Sequence, residues 1–236
     1  MVILALDSSS AGGSAAVVRG DSGRLIVSER AGESRRATAE RLPLDLMAVL
    51  QDAGVTLDDV DRLAVAVGPG SYTGLRIGIA AIQGLALARG LPVTPVSTFE
   101  ALSWHARGSA DAIAPWVDAQ RGEVFATLLA GDGRGVLADA SSLSPSATID
   151  AWQSALPAGG RVRFIGDGAL RYRDQILAAL ADRAVVDPTI PLLAAAIGRI
   201  AAADPARAVR PHALAPLYIR RTDVELARDR REAANR

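Results

Sequence analysis

The 236-residue chain contains no cysteine and no lysine, and only two histidines, His105 and His212. Without cysteine there is no disulfide, no thiolate nucleophile and no cysteine-ligated zinc. All 26 basic residues are arginine, which excludes a phosphate-loop lysine, a Schiff-base lysine and a lysine general base. The two histidines lie too far apart in sequence to form a metal pair on one helix. Aromatic residues make up 4% of the chain, so its core has to be built from Ala, Leu, Val and Ile. The formal net charge is zero, and the overall field gives little help in holding a polyanion such as RNA. No apolar run approaches the roughly 20 residues of a membrane helix. The opening Met1-Val2-Ile3-Leu4-Ala5-Leu6-Asp7 lacks a basic leader and reads as a first strand, so the protein is expected in the cytoplasm without membrane contact.

What is present is ordered twice. Apolar runs predict strands at Val2–Leu6, Ser14–Val18 and Arg24–Ser28. A helix over Ala39–Ala53 follows, with Leu42, Leu46 and Leu50 on one face, preceded by Thr38 as a candidate cap. Then come strand Arg62–Val67, helix Thr73–Arg89, strand Pro92–Val96 and a short helix from about Thr98. The second half repeats the order. Strand Ala112–Asp118 ends in aspartate as Val2–Asp7 does, and a second strand is followed by a third at Gly135–Ala138. Helical residues near Ser146–Ser154 precede strand Arg161–Ile165 and a Gly166-Asp167-Gly168 loop. Helix Leu170–Ala181, a short strand at Val185–Val186 and helix Leu192–Ala203 complete the repeat. The layout is that of an α/β protein of two duplicated RNase H-like domains, as in actin, sugar kinases and heat-shock ATPases. The expected domains are residues 1–108 and 109–236, the latter with an arginine-rich tail.

In such a fold Asp7 and Asp118 would flank phosphates and hydrated magnesium, with Ser8 and Ser9 supplying donors and Gly166, Asp167 and Gly168 facing adenosine. The competing reading of both aspartates is that they cap turns at strand ends. His105 and His212 have no sequence neighbours that suggest a triad. The terminal arginines, Arg220, Arg221, Arg228, Arg230, Arg231 and Arg236, are interrupted by acids and read as a solvated tail or helix, with contact to an RNA backbone as the alternative.

The stretch Val67–Ala80, VGPGSYTGLRIGIA, resembles a phosphate loop without its lysine, and Pro69 removes a backbone donor. Ser71 or Thr73 can cap the helix that follows. That helix carries Gly74, Gly78 and Gly84, although each interior glycine costs roughly 1 kcal/mol of helix stability. Small residues at four-residue spacing leave room for a neighbouring helix, in the same chain or another.

Five segments, MVILALDSSSAGGSAAVV, AVGPGSYTGLRIGIAAIQGLALARGLPVTPVSTFEAL, VDAQRGEVFATLL, FIGDGA and PLYIRR, together resemble the bacterial TsaB (YeaZ) family. That resemblance implies a non-catalytic subunit in the formation of N6-threonylcarbamoyladenosine beside the anticodon of tRNAs reading codons that begin with adenine. It implies pairing with the metal-bearing paralogue TsaD, association with the ATPase TsaE and contact with tRNA through the complex. ATP and metal would then be used by the complex, and no cofactor, metal or catalytic residue would belong to this chain. The paralogue's histidine-x-x-x-histidine is missing from Ala37–Pro43. Leu42, Leu46, Leu50, Thr73, Gly74, Arg76, Ile77, Gly78 and Ala81 are then the expected partner-binding residues, with self-association through the same helices as an option. A large side chain at Gly78 is expected to block pairing while leaving the single chain folded. The alternatives are an actin-like small-molecule kinase or ATPase and, further off, a metalloprotease-like hydrolase.

Overall fold

The computed structural model describes residues 1–20, 24–32 and 38–220. The first half forms β1 (Val2–Asp7), β2 (Ser14–Gly20), β3 (Leu25–Ala31), α1 (Thr38–Asp52), β4 (Arg62–Gly68), α2 (Tyr72–Arg89), β5 (Val93–Ser97) and α3 (Thr98–Ala106). The second half forms β6 (Ala112–Asp118), β7 (Val124–Ala130), β8 (Val136–Leu143), α4 (Pro145–Ala151), β9 (Val162–Ile165), α5 (Asp167–Arg171), α6 (Arg173–Leu180), β10 (Ala184–Val186) and α7 (Ala194–Ala203).

Each half builds a five-stranded sheet, in the order β3-β2-β1-β4-β5 and, reading from the other edge, β8-β7-β6-β9-β10. The first three strands of each half pair antiparallel, and the last two join parallel. Parallel neighbours need a crossover, which α1 and α2 supply in one half and α4, α5 and α6 in the other. The chain is therefore a duplicated RNase H-like α/β fold.

Three apolar clusters hold it together. One lies between the first sheet and α1 and α2, and another between the second sheet and its own helices, around Trp116, Trp152 and Phe164. The third is a middle layer in which α3 and α7 sit between the sheets. There α7 packs on β1, β2 and β4, and α3 reaches β6 and β9, so a helix from each half lies against the other half's sheet. The α7 N-terminus is fastened to the first sheet. Ser14 Oγ accepts from Leu193 N and Ala194 N at 3.2 and 3.0 Å, and Glu29 Oε1 accepts from Ala195 N at 2.7 Å. These acceptors satisfy amides that a helix start leaves open.

Two local expectations differ from the structure. The helix expected at Leu170–Ala181 is two helices that break at Tyr172, whose φ of −106° and ψ of 22° leave the helical range. Of the Gly166-Asp167-Gly168 stretch, Asp167 and Gly168 open α5 and Gly166 flanks it; the Asp167 carboxylate accepts from the Gly168 N–H at 2.8 Å and from the Asp118 N–H at 3.0 Å, tying this start to β6.

Candidate functional site: an interlobe cleft and a two-helix face

A cleft of about 770 Å³ opens between the two halves. Its walls are the Ser8–Gly12 turn and the start of α2 on one side, and the Val117–Arg121 corner with Asp167 on the other. Residues 217–220 also line it.

Asp7 and Asp118 stand at equivalent corners, each at the end of its sheet's central strand. Asp7 is buried, and its carboxylate accepts from Ser9 N at 2.8 Å, from Ser9 Oγ at 2.6 Å and from Ser10 Oγ. Asp118 accepts from Gln120 N at 3.0 Å and Gln120 Nε2 at 2.9 Å, and it pairs with Arg171 at 2.8 Å. Each aspartate thus binds the amide two residues on, which is the side-chain turn favoured by aspartate at strand ends. A carboxylate with three internal donors, or one neutralised by a guanidinium, is poorly placed to hold a hydrated cation. Among the described residues, no group of three or more His, Cys, Asp or Glu gathers where a metal could bind.

Asp167 lies beside Asp118. Burial pushes its carboxyl above the usual range, the amides of Asp118 and Gly168 pull it back, and the Asp118 carboxylate pushes the same way as burial. Gly166 and Gly168 rest against the Trp116–Asp118 backbone, closing the start of α5 onto β6. The expected adenosine corner therefore carries tight internal packing.

The Val67–Ala80 turn is capped by Ser71, whose Oγ accepts from Gly74 N at 3.2 Å. Glycines 74 and 78 do not face outward. A Cβ at Gly74 would fall on the Ser8 carbonyl oxygen, and one at Gly78 on Ser8 Oγ. By contrast, an added Cβ at Gly84 meets nothing within 4 Å. The spacing expected to admit a partner helix serves, at 74 and 78, to seat α2 on the β1–β2 corner.

The same inward bias governs α1. Leu42, Leu46 and Leu50 are 3%, 9% and 3% exposed, because the main apolar stripe of a helix turns to its own core. Of the expected docking residues, Thr73 and Arg76 are exposed, while Ile77 and Ala81 are half-buried against the core. The outward apolar residues are Leu44 and Met47 of α1 and Leu87 of α2, with Ala80 and Gly84 also exposed. In the sequence, the signal for Leu44, Met47 and Leu87 was large apolar residues one or two positions off the buried stripe.

Arg220 is not part of a solvated tail. It donates to Ala119 O at 3.0 Å and pairs with Glu123, binding the second half's corner. The other arginines of that run, from Arg221 onward, lie outside the described residues.

The family model described as TsaD, tRNA N6-adenosine threonylcarbamoyltransferase, matches residues 31–141. An uncharacterized protein of Mycobacterium tuberculosis is 29% identical over 223 residues, covering 94% of this chain and 93% of that protein. The TsaB protein of Bacillus subtilis, named for tRNA threonylcarbamoyladenosine biosynthesis, is 33% identical over 128 residues, about half of either chain (54% and 55%). The structure of YeaZ from Pseudomonas aeruginosa superposes with a TM-score of 0.71 at 28% identity, covering 92% of this chain and 99% of that one. In sequence and in fold, the chain is similar to YeaZ over most of its length, and in sequence to TsaB proteins over about half of it.

Proposed function

We propose that this TsaB-like chain is a non-catalytic subunit of the machinery that forms N6-threonylcarbamoyladenosine on tRNA. In this reading the outward face of α1 and α2 docks a TsaD-type partner, which carries the metal and transfers the group. A TsaE-type ATPase and the tRNA join through the complex. One observation carries the non-catalytic part: both corner aspartates, Asp7 and Asp118, are bound by the chain's own donors. The similarity to TsaB proteins carries the pathway.

The test is co-purification with the TsaD-type protein encoded by the same genome, followed by a tRNA modification assay omitting each subunit in turn. The expected result is a stable pair, and modification that is lost without this chain although it hydrolyses no ATP alone. Retained modification in its absence overturns the role. Magnesium-dependent ATP binding with turnover by the isolated chain would favour the kinase alternative.

A further inference from the structure

Residues 214–220 cross the cleft from one half to the other. At the first half, Leu214 is buried, and Gln83 Nε2 donates to Pro211 O at 3.1 Å and Leu214 O at 3.0 Å. Leu217 N then donates to Val67 O at 2.7 Å, at the end of β4. Tyr218 Oη accepts from Arg76 Nε at 3.1 Å, and the Tyr218 ring lies 5.6 Å from that of Tyr72, over which the Arg76 guanidinium sits at 4.1 Å. Ile219 next packs on the middle layer. At the second half, Arg220 donates to Ala119 O at 3.0 Å and Ser142 Oγ at 3.2 Å, pairs with Glu123, and lies 5.6 Å over the Phe125 ring. Ser142 Oγ donates in turn to Glu123 at 2.8 Å.

We propose that this segment is a latch that holds the two halves at one separation across the cleft, opposing any hinge motion about the α3–α7 layer. The contacts at its two ends give the latch its grip, and the short chain between them limits how far the halves can part. From Leu217 to Arg220 there are three residue steps, which extend to at most roughly 11 Å. The anchors lie on different halves, so a separation that outruns this short segment requires breaking the Val67 contact or the Arg220 cluster. The latch ends are also unlike. The Arg220 end is charge-assisted and partly buried, whereas Tyr72 and Tyr218 are 45% and 41% exposed beside α2. The Tyr218 end is therefore the one a surface contact can reach.

Because the natural chain has no cysteine, two introduced cysteines can be spin-labelled without background. Ala88→Cys at the exposed end of α2 and Ala140→Cys on exposed β8 report the distance between the halves in the full-length protein. Pulsed dipolar spectroscopy is expected to give one narrow distance distribution with the latch intact. Arg220→Ala is expected to broaden it and move its mean to longer distance, and Tyr218→Ala, which removes the Arg76 and Tyr72 contacts but leaves Leu217 N on Val67 O, to shift it in the same direction by less. Near-ultraviolet circular dichroism selects the variants that keep native packing. A broad distribution in the unaltered latch, or superimposable distributions in the folded variants, overturns the proposal.

Discussion

Ser8 lies so close against Gly78 that a Cβ at position 78 would clash with its hydroxyl oxygen. Gly74, one turn earlier, meets the Ser8 carbonyl in the same way. The glycines that look like a docking stripe are thus the seat on which α2 rests against the β1–β2 corner. Gly78→Leu is accordingly expected to destabilise the single chain by about 1–3 kcal/mol, the usual penalty of overpacking, before any partner is considered. Gly84→Ala is expected to stabilise by about 1 kcal/mol, since that site is open and alanine favours the helix. Urea midpoints of the two variants should move in opposite directions; equal shifts would contradict the packing.

Partner docking is expected to depend on the residues that face out. Met47 and Leu87 are 62% and 66% exposed, so Met47→Asp and Leu87→Arg should change stability by no more than about 0.5 kcal/mol. The same pair of substitutions, combined, should abolish capture of the TsaD-type partner in co-purification. Undiminished capture would place the interface elsewhere.

Asp7 has a structural assignment that activity measurements alone would miss. Asp7→Ala removes the acceptor for three donors, of which Ser9 N and Ser9 Oγ are buried. A loss of about 1–3 kcal/mol is expected from those orphaned groups. Thermal melting of the isolated chain would read it, and an unchanged melting temperature would return Asp7 to the candidates for cleft chemistry.

The acid side of the stability profile has a defined sign. Burial pushes the Glu29 carboxyl above its ordinary value of 4.5, the Ala195 amide pulls it back, and Asp7 pushes it further up. Asp167 is raised from 3.8, mainly by burial. Between the ordinary and the raised values, the folded chain binds these protons more tightly than the unfolded one. Their contribution therefore favours the folded state at low pH and falls as pH rises through that window. Glu29→Gln keeps an acceptor for the Ala195 amide but cannot ionise. Its melting temperature relative to the unaltered chain should improve from about pH 4 to pH 7. A constant difference across the series would rule out Glu29 as the source.

Much of the architecture was legible because its signals are local. Alternating apolar runs, Ser71 before α2 and the aspartates at Asp7 and Asp118 depend on residues within a turn or a strand of one another. The repeated order of those signals was enough to infer two matching sheets. What the linear chain could not disclose was which side of each element meets which neighbour. Leu42, Leu46 and Leu50 had the spacing of either a core stripe or a docking stripe, and only the first sheet's position beneath α1 made them core. Gly74 and Gly78 carried the pattern of helix packing, yet their partner proved to be Ser8, more than sixty residues away. Arg220 looked like tail charge until Ala119, Glu123 and Ser142 came together around it. Local pattern by itself determined the elements and their duplicated order, since hydrogen bonding and side-chain periodicity are set by near neighbours. Tertiary structure alone decided the inward faces, the occupied aspartates and the strap across the cleft, since burial and ion pairing depend on groups that folding brings together.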